Sequence, residues 1–231
     1  TGRRDSMKLE SYFSTIGSLE EQKRLDTISN NIANANSAGF KKDSIHFSSV
    51  LGEESYTSFS QGPLHQTGND LDIALSGDGF LSVQTNQGIL YTRAGNLTLN
   101  SSNQLVTQDG LPVLGKGAPI TIKNRAALRI GEDGQIFDGN DTVGSIDIMQ
   151  FPPGVSVKKA ENGYFEPQSA GTQPVPATNC VVRQGSLEGP NFNLVEEMAK
   201  MVETMRNYES YQKNLQNGGN LDSQLIAKLS G

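Results

Sequence analysis

Gly110-Leu111-Pro112-Val113-Leu114-Gly115-Lys116-Gly117 is the stretch of this chain nearest to a chemical device, a glycine-rich loop whose amides cradle a phosphate. Such a loop needs a Ser or Thr after the lysine to hold magnesium, and a helix that begins there. This chain offers Gly117 and then Ala118-Pro119-Ile120, a strand-like continuation, so a hairpin loop is expected. Asp133 to Thr142 is rich in Asp, Asn and Gly but lacks the EF-hand spacing and its terminal Glu, and reads as turns. The two histidines, His46 and His65, sit near no nucleophile motif, and two are too few for a His-rich metal site unless carboxylates join. Asp70 and Asp72 would share a strand face and are expected to mark a solvated edge rather than a glycosidase pair. The single cysteine, Cys180, excludes an intramolecular disulfide and, preceding Val181-Val182, reads as a buried strand thiol. No catalytic constellation emerges, and no cofactor, metal or small-molecule substrate is expected.

The elements that frame these residues follow from composition and periodicity. A net charge of −6 argues against nucleic acid, which needs a basic face against its phosphates. With no Trp, 25 Gly and many small polar residues, the 231-residue chain reads as carrying a turn-rich β body. No apolar run approaches the ~20 residues of a membrane span, and no signal-peptide core is visible. Thr1 to Ser6, ahead of Met7, reads as a cloning remnant (residues 1–6).

Both ends are helical in pattern. From Lys8 to Ala35, Leu9, Tyr12, Phe13, Ile16 and Leu19 share one face, whereas Leu25, Ile28 and Ile32 fall nearly opposite. Either the helix is interrupted near Glu20 to Lys23, or its halves pack on different neighbours. Near the other end Leu194, Met198, Met201, Met205, Tyr208, Gln212 and Leu215 alternate steps of four and three, the period of helices that pack lengthwise. Asn217-Gly218-Gly219-Asn220 is expected to stop that helix. The middle reads as strands, among them Phe80 to Thr85, punctuated by Asp109-Gly110, Asp133-Gly134, Asp138-Gly139 and Asn162-Gly163 turns. The expected fold class is α+β: a discontinuous, coiled-coil-like helical domain from both termini (7–39 and 186–231), an extended linker (40–79), and an all-β body of antiparallel strands and hairpins (80–185).

Three blocks carry a resemblance. Leu25 to Lys41, with Asn30-Asn31-Ile32-Ala33-Asn34 and Ser37-Ala38-Gly39-Phe40-Lys41, resembles the N-terminal signature of the flagellar axial proteins, the rod and hook family. Gln61 to Phe80, with Thr67-Gly68-Asn69, Leu71-Asp72, Ala74-Leu75 and Gly77-Asp78-Gly79-Phe80, is similar to a rod-protein block, and Gly185-Ser186-Leu187-Glu188-Gly189-Pro190-Asn191 opens a C-terminal block of the same kind. Within the family, the modest length and the ending Leu225-Ile226-Ala227-Lys228-Leu229 look closer to the proximal rod protein than to distal rod or hook members. The Asn217 to Asn220 break departs from relatives whose C-terminal helix usually continues.

The resemblance implies a structural subunit, not an enzyme. It would be exported without a cleaved signal by the flagellar export apparatus, and would polymerise with itself and other rod and hook components into the basal-body drive shaft across the periplasm or cell wall. The assembly surface is expected at Leu25, Ile28, Asn31, Ile32 and Asn34, and at Leu194, Met198, Met201, Met205 and Tyr208. Gly39, Gly68 and Gly79 are expected at backbone turns. The alternative reading is a secreted monomeric binding module, or a glycan-active enzyme with helical tails.

Overall fold

The computed structural model describes the backbone of residues 2–48, 52–152, 155, 157–168 and 173–229, with side chains mainly from 12 to 45 and from 55 to 219. The chain divides into two compact units. One combines Thr1–Asn34, Asp43–Tyr56 and Phe192–Gly231; the other combines Ala35–Lys42 with Thr57–Asn191.

The first unit is built on α1 (Gly2–Ala33) and α2 (Leu194–Leu229). Both run without interruption. Glu20-Glu21-Gln22-Lys23, where a break in α1 was considered, are all good helix formers and carry the helix through. The expected stop at Asn217-Gly218-Gly219-Asn220 is also absent. Two glycines cost a helix only about 1 kcal/mol each, and the flanking Leu215, Gln216 and Leu221 favour continuation. Asn193 caps α2, its side-chain oxygen accepting from Val195 N at 2.9 Å, with Glu196 and Glu197 on the favourable first turn. β1 (Asp43–Ser48) and β2 (Gly52–Thr57) pair as a small sheet, and β1 packs against α1.

The second unit is β. Its largest sheet is antiparallel and six-stranded, in the order Val157–Lys159, Phe165–Pro167, β6 (Gly88–Thr92), β5 (Phe80–Thr85), Ile148–Gln150 and Val175–Pro176. A three-stranded antiparallel sheet joins Leu128–Ile130, Gln135–Asp138 and Asp141–Ser145. The four Asp-Gly and Asn-Gly pairs expected at turns place Gly110, Gly134, Gly139 and Gly163 at positive φ. Leu81, Val83, Leu105, Val113, Ile122 and Ile136 form the centre of the core, each at most 1% exposed.

The segment 40–79, expected as a linker, is structured. Besides β1 and β2 it contains β3 (Leu64–Gln66), paired with Ser186–Glu188, and β4 (Ile73–Ser76), paired with Val181–Gln184. Leu71, Ile73 and Leu75 belong to the main core. The segment reads as polar because its strand partners lie more than a hundred residues away, and local pattern carries no trace of them. Asp72, expected on a solvated edge, is buried and accepts from Thr67 Oγ1 at 2.6 Å and Asn69 Nδ2 at 2.9 Å, tying the Thr67-Gly68-Asn69 turn together.

Candidate functional site

In the first unit the two helices run antiparallel, since Ser18 Oγ accepts from Gln212 Nε2 at 2.8 Å while Asn31 Nδ2 reaches Glu197 Oε2 at 3.5 Å. Apart from Ile28, which is 9% exposed, the buried side chains at this seam are small or polar. Gly17, Ser18, Glu21 and Asn31 on α1, and Glu197 and Thr204 on α2, are all buried. A Cβ at position 17 would fall 2.6 Å from the Tyr211 ring, so the glycine lets that ring lie against the α1 backbone. Many of the large apolar residues face out. Tyr12, Phe13 and Leu19 are 61%, 60% and 52% exposed; Val195, Met198, Val202 and Met205 are 73%, 48%, 49% and 46% exposed. A helix pair in water normally has the opposite arrangement.

The residues expected on an assembly surface divide accordingly. Leu194, Met198 and Met205 are exposed, whereas Met201 and Tyr208 are half-buried. On α1 the expected residues lie deeper within the single chain. Ile28 and Asn31 are buried inside the chain, and Leu25, Ile32 and Asn34 are half-buried. The face left outside is that of Tyr12, Phe13, Ile16 and Leu19; Leu9 lies outside the described side chains. The hydrophobic periodicity located both faces correctly but could not say which one α2 would cover.

Asn31 has a structural task of its own. Its side-chain amide donates to Asp43 O at 2.9 Å and its oxygen accepts from Asp43 N at 3.0 Å, as a neighbouring strand would. That pairing fixes the start of β1 on α1. Beside it a polar cavity of about 260 Å³ opens between the helices and β1, lined in part by Ile28, Asn31, Glu197 and Thr204.

The second unit contains a buried cluster of charge that sequence reasoning missed. Lys41, Arg93 and Glu188 have side chains only 1%, 3% and 0% exposed. Glu188 Oε1 accepts from Lys41 Nζ at 2.7 Å and Gly62 N at 2.8 Å, and Oε2 accepts from Arg93 Nε at 2.8 Å. The remaining donors are spent on carbonyls: Lys41 Nζ on Ser60 O at 2.7 Å, and Arg93 on Gly77 O, Gly79 O and Leu75 O. Burial lowers the Lys41 pKa from its usual value, with Glu188 pulling the other way. Lys159 closes the cluster from the edge strand, donating to Lys41 O at 2.9 Å while its ammonium lies 4.0 Å from the Phe40 ring centre.

Backbone contacts finish the junction. Gly39 N donates to Glu188 O at 2.7 Å, Asn191 N to Phe40 O at 3.3 Å, and Lys42 N to Asn191 Oδ1 at 2.8 Å. Gly39 has φ of +66° and its missing Cβ would lie 2.3 Å from the Arg93 carbonyl carbon, so no larger residue fits. The segment after α1 and the segment before α2 are thus held side by side. Gly68 also turns at positive φ. At the third expected turn the positive φ belongs to Gly77, at 106°, and Gly79 instead makes room for Ile148 and Cys180, whose atoms would lie 2.7 and 3.0 Å from a Cβ there.

The residues that resembled chemistry serve the fold. In the phosphate-like stretch, Lys116 N and Gly117 N each donate at 2.7 Å to the carboxylate of Asp147, so the chain's own anion occupies that nest. Half-buried Cys180 precedes the strand Val181–Gln184, and burial raises its pKa. His65 is exposed on β3, and the side chain of His46 lies outside the described residues. Among the described residues, no three His, Cys, Asp or Glu side chains are grouped to hold a metal, and no helix is long and apolar enough to cross a membrane.

The geometry so far defines a class, a β body whose terminal helices turn their apolar faces outward. Comparison with known proteins names it. Residues 19–41 match the family described as "Flagella basal body rod protein", 74–137 the "Flagellar hook protein FlgE/F/G D1 domain", and 183–228 the "Flagellar basal body rod FlgEFG protein C-terminal". Lys41, Arg93 and Glu188 fall one in each matched segment. The chain is 34% identical to the flagellar basal-body rod protein FlgF of Caulobacter vibrioides over 227 residues, covering 90% of this chain and 92% of that one. It is 31% identical to FlgG of Bacillus subtilis over 259 residues, covering 94% and 98%. The chain belongs to the flagellar basal-body rod protein family. It is a structural subunit of the rod, not an enzyme, it is located in the flagellar basal body, and it associates with other flagellar axial proteins.

Proposed function

We propose that this subunit polymerises through its terminal helices into the axial drive shaft of the flagellum, where those helices pack against neighbours in coiled-coil fashion. The observation that carries this reading is the inverted helix pair, with Gly17, Ser18, Glu21 and Asn31 inside and Tyr12, Phe13, Val195 and Met198 outside. Exposed apolar surface of this kind marks a surface that another chain covers. The chain reaches its place across the periplasm or cell wall through the flagellar export apparatus.

The test is complementation of a deletion strain. Met198→Glu is expected to leave the chain folded, because Met198 is exposed, yet to abolish swimming and rod assembly, because a charge would then be buried between subunits. Normal swimming with this variant would remove the reading. A monomeric binding module would show itself by staying monomeric at high concentration and by a deletion strain that swims.

A further inference from the structure

The stretch from Phe59 to Asp70 in the second unit is unlike the strands around it. Every residue in it is exposed except Gly62, which is half-buried, and the buried run Leu71 to Leu75 begins directly after it. Phe59 packs edge-on against Phe80 at 5.7 Å and Phe165 at 5.3 Å but is itself 37% exposed. The other attachments are polar. β3 pairs with Ser186–Glu188 through its backbone, and Gln61 Nε2 donates to Leu75 O at 3.1 Å. Asn191 Nδ2 donates to Ser58 O at 2.7 Å and to Ser60 O at 3.1 Å. Exposed backbone hydrogen bonds with little buried apolar area behind them characterise segments that open locally. At the far end Gly68 turns at φ +75°, with nothing within 4 Å of where a Cβ would stand.

The same stretch roofs the buried charges. Ser60 O and Gly62 N contact Lys41 Nζ and Glu188 Oε1 directly, at 2.7 and 2.8 Å. Two cations share one carboxylate there, so closing the roof seals an excess of positive charge away from water. The contacts of the closed state must offset that desolvation. Lifting the stretch returns the cluster to water and recovers part of the cost, a compensation that opening the apolar core does not have. We propose that Ser58 to Gly68 is a strap that opens from the β body as one unit, at a lower free-energy cost than unfolding of the core. In opening it hydrates the Lys41–Arg93–Glu188 cluster and uncovers the Phe80 and Phe165 rings. The strap is a two-state element: closed, it completes the buried cluster; open, it presents a charged, aromatic face that the closed chain hides. This is a property of the single chain and does not rest on the polymerisation reading.

Native-state hydrogen exchange of the isolated full-length chain, read residue by residue at rising sub-denaturing urea, tests it. The strap reporters are Gly62 N, bonded to Glu188 Oε1, and Thr67 N, bonded to Gly185 O, both at 2.8 Å. The core reporters are Leu105 N, bonded to Ile120 O, and Val113 N, bonded to Leu105 O, both at 2.9 Å. Protection of the strap reporters should lie at least about tenfold below that of the core reporters. It should also fall little with urea, because opening the strap exposes little surface. Ile136→Val, a conservative change at a fully buried core position, should speed exchange of the core reporters about 2- to 13-fold. The strap reporters should not respond, since the core stays intact while the strap is open. Strap reporters as protected as the core, sharing its urea dependence, or speeding up equally in Ile136→Val would overturn the proposal, because the stretch would then be released only by global unfolding. Strap reporters that differ from each other by more than about tenfold would overturn the single opening unit.

Discussion

Glu188→Gln is the substitution whose effect can be worked out most directly. The carboxylate is fully buried and holds two buried cations, Lys41 at 2.7 Å and Arg93 at 2.8 Å, with Gly62 N as a third donor. An amide of the same shape keeps the volume but leaves both cations without their counter-charge. Removing one member of a buried ion pair costs about 3–5 kcal/mol, because the other charge stays desolvated. With a urea dependence of about 2 kcal/mol per molar, the unfolding midpoint of the β body should fall by roughly 2 M. The chain has no Trp, so near-ultraviolet circular dichroism of Tyr91 and Tyr164, both buried in this unit, is the readout. Lys41→Met should cost less, about 1–3 kcal/mol, because Glu188 keeps Arg93 and Gly62. The double variant should cost less than the sum of the two singles. A midpoint for Glu188→Gln within about 0.5 M of the parent, or a larger loss for Lys41→Met, would refute the reasoning.

Other outcomes follow from single contacts. Gly39→Val should destabilise the β body by well over the ~1 kcal/mol of a propensity change, since a side chain at φ +66° runs into the Arg93 backbone; unchanged urea unfolding would contradict it. Asn31→Ala should speed hydrogen exchange at Asp43 N, whose acceptor is lost, at a cost of about 1–3 kcal/mol; unaltered protection there would count against the strand-like pairing. Ile28→Glu should lower helix content in the isolated chain, as Ile28 is 9% exposed, whereas Met198→Glu, at 48%, should not; far-ultraviolet circular dichroism separates them. The pKa of Tyr164 is pushed up to about 12, first by burial and then by Asp109, which accepts its hydroxyl at 2.8 Å. The unfolded chain loses that proton near pH 10, before the native state does. Tyr164 therefore contributes stability that is present below pH 10 and lost as pH rises towards about 12, and Tyr164→Phe should flatten that part of the profile.

What the sequence made legible was local. The helical ends, the strand at Phe80 to Thr85 and the Asp-Gly turns rest on periodicity and turn chemistry, which are properties of neighbouring residues. Gly39 was legible for the same reason. What stayed hidden depended on distant partners. Nothing near Glu188 announces Lys41 or Arg93, which lie 147 and 95 residues away along the chain. The one available signal was a charged residue at the end of each terminal block, Lys41 after Gly39-Phe40 and Glu188 after Ser186-Leu187. Likewise both apolar faces of α1 could be read, but the choice between them was made by Gly17, Ser18 and Asn31. These small and polar residues allow α2 to approach on a side that a hydrophobic pattern ranks low.

The central claim is that the outward apolar faces of the helices are buried between subunits in the rod. Methionine oxidation measures this directly, because the thioether reacts according to its exposure. In the isolated chain Met198 and Met205, 48% and 46% exposed, should oxidise readily. In purified basal bodies both should be strongly protected. Equal oxidation of Met198 and Met205 in the free chain and in the assembled rod would contradict the account.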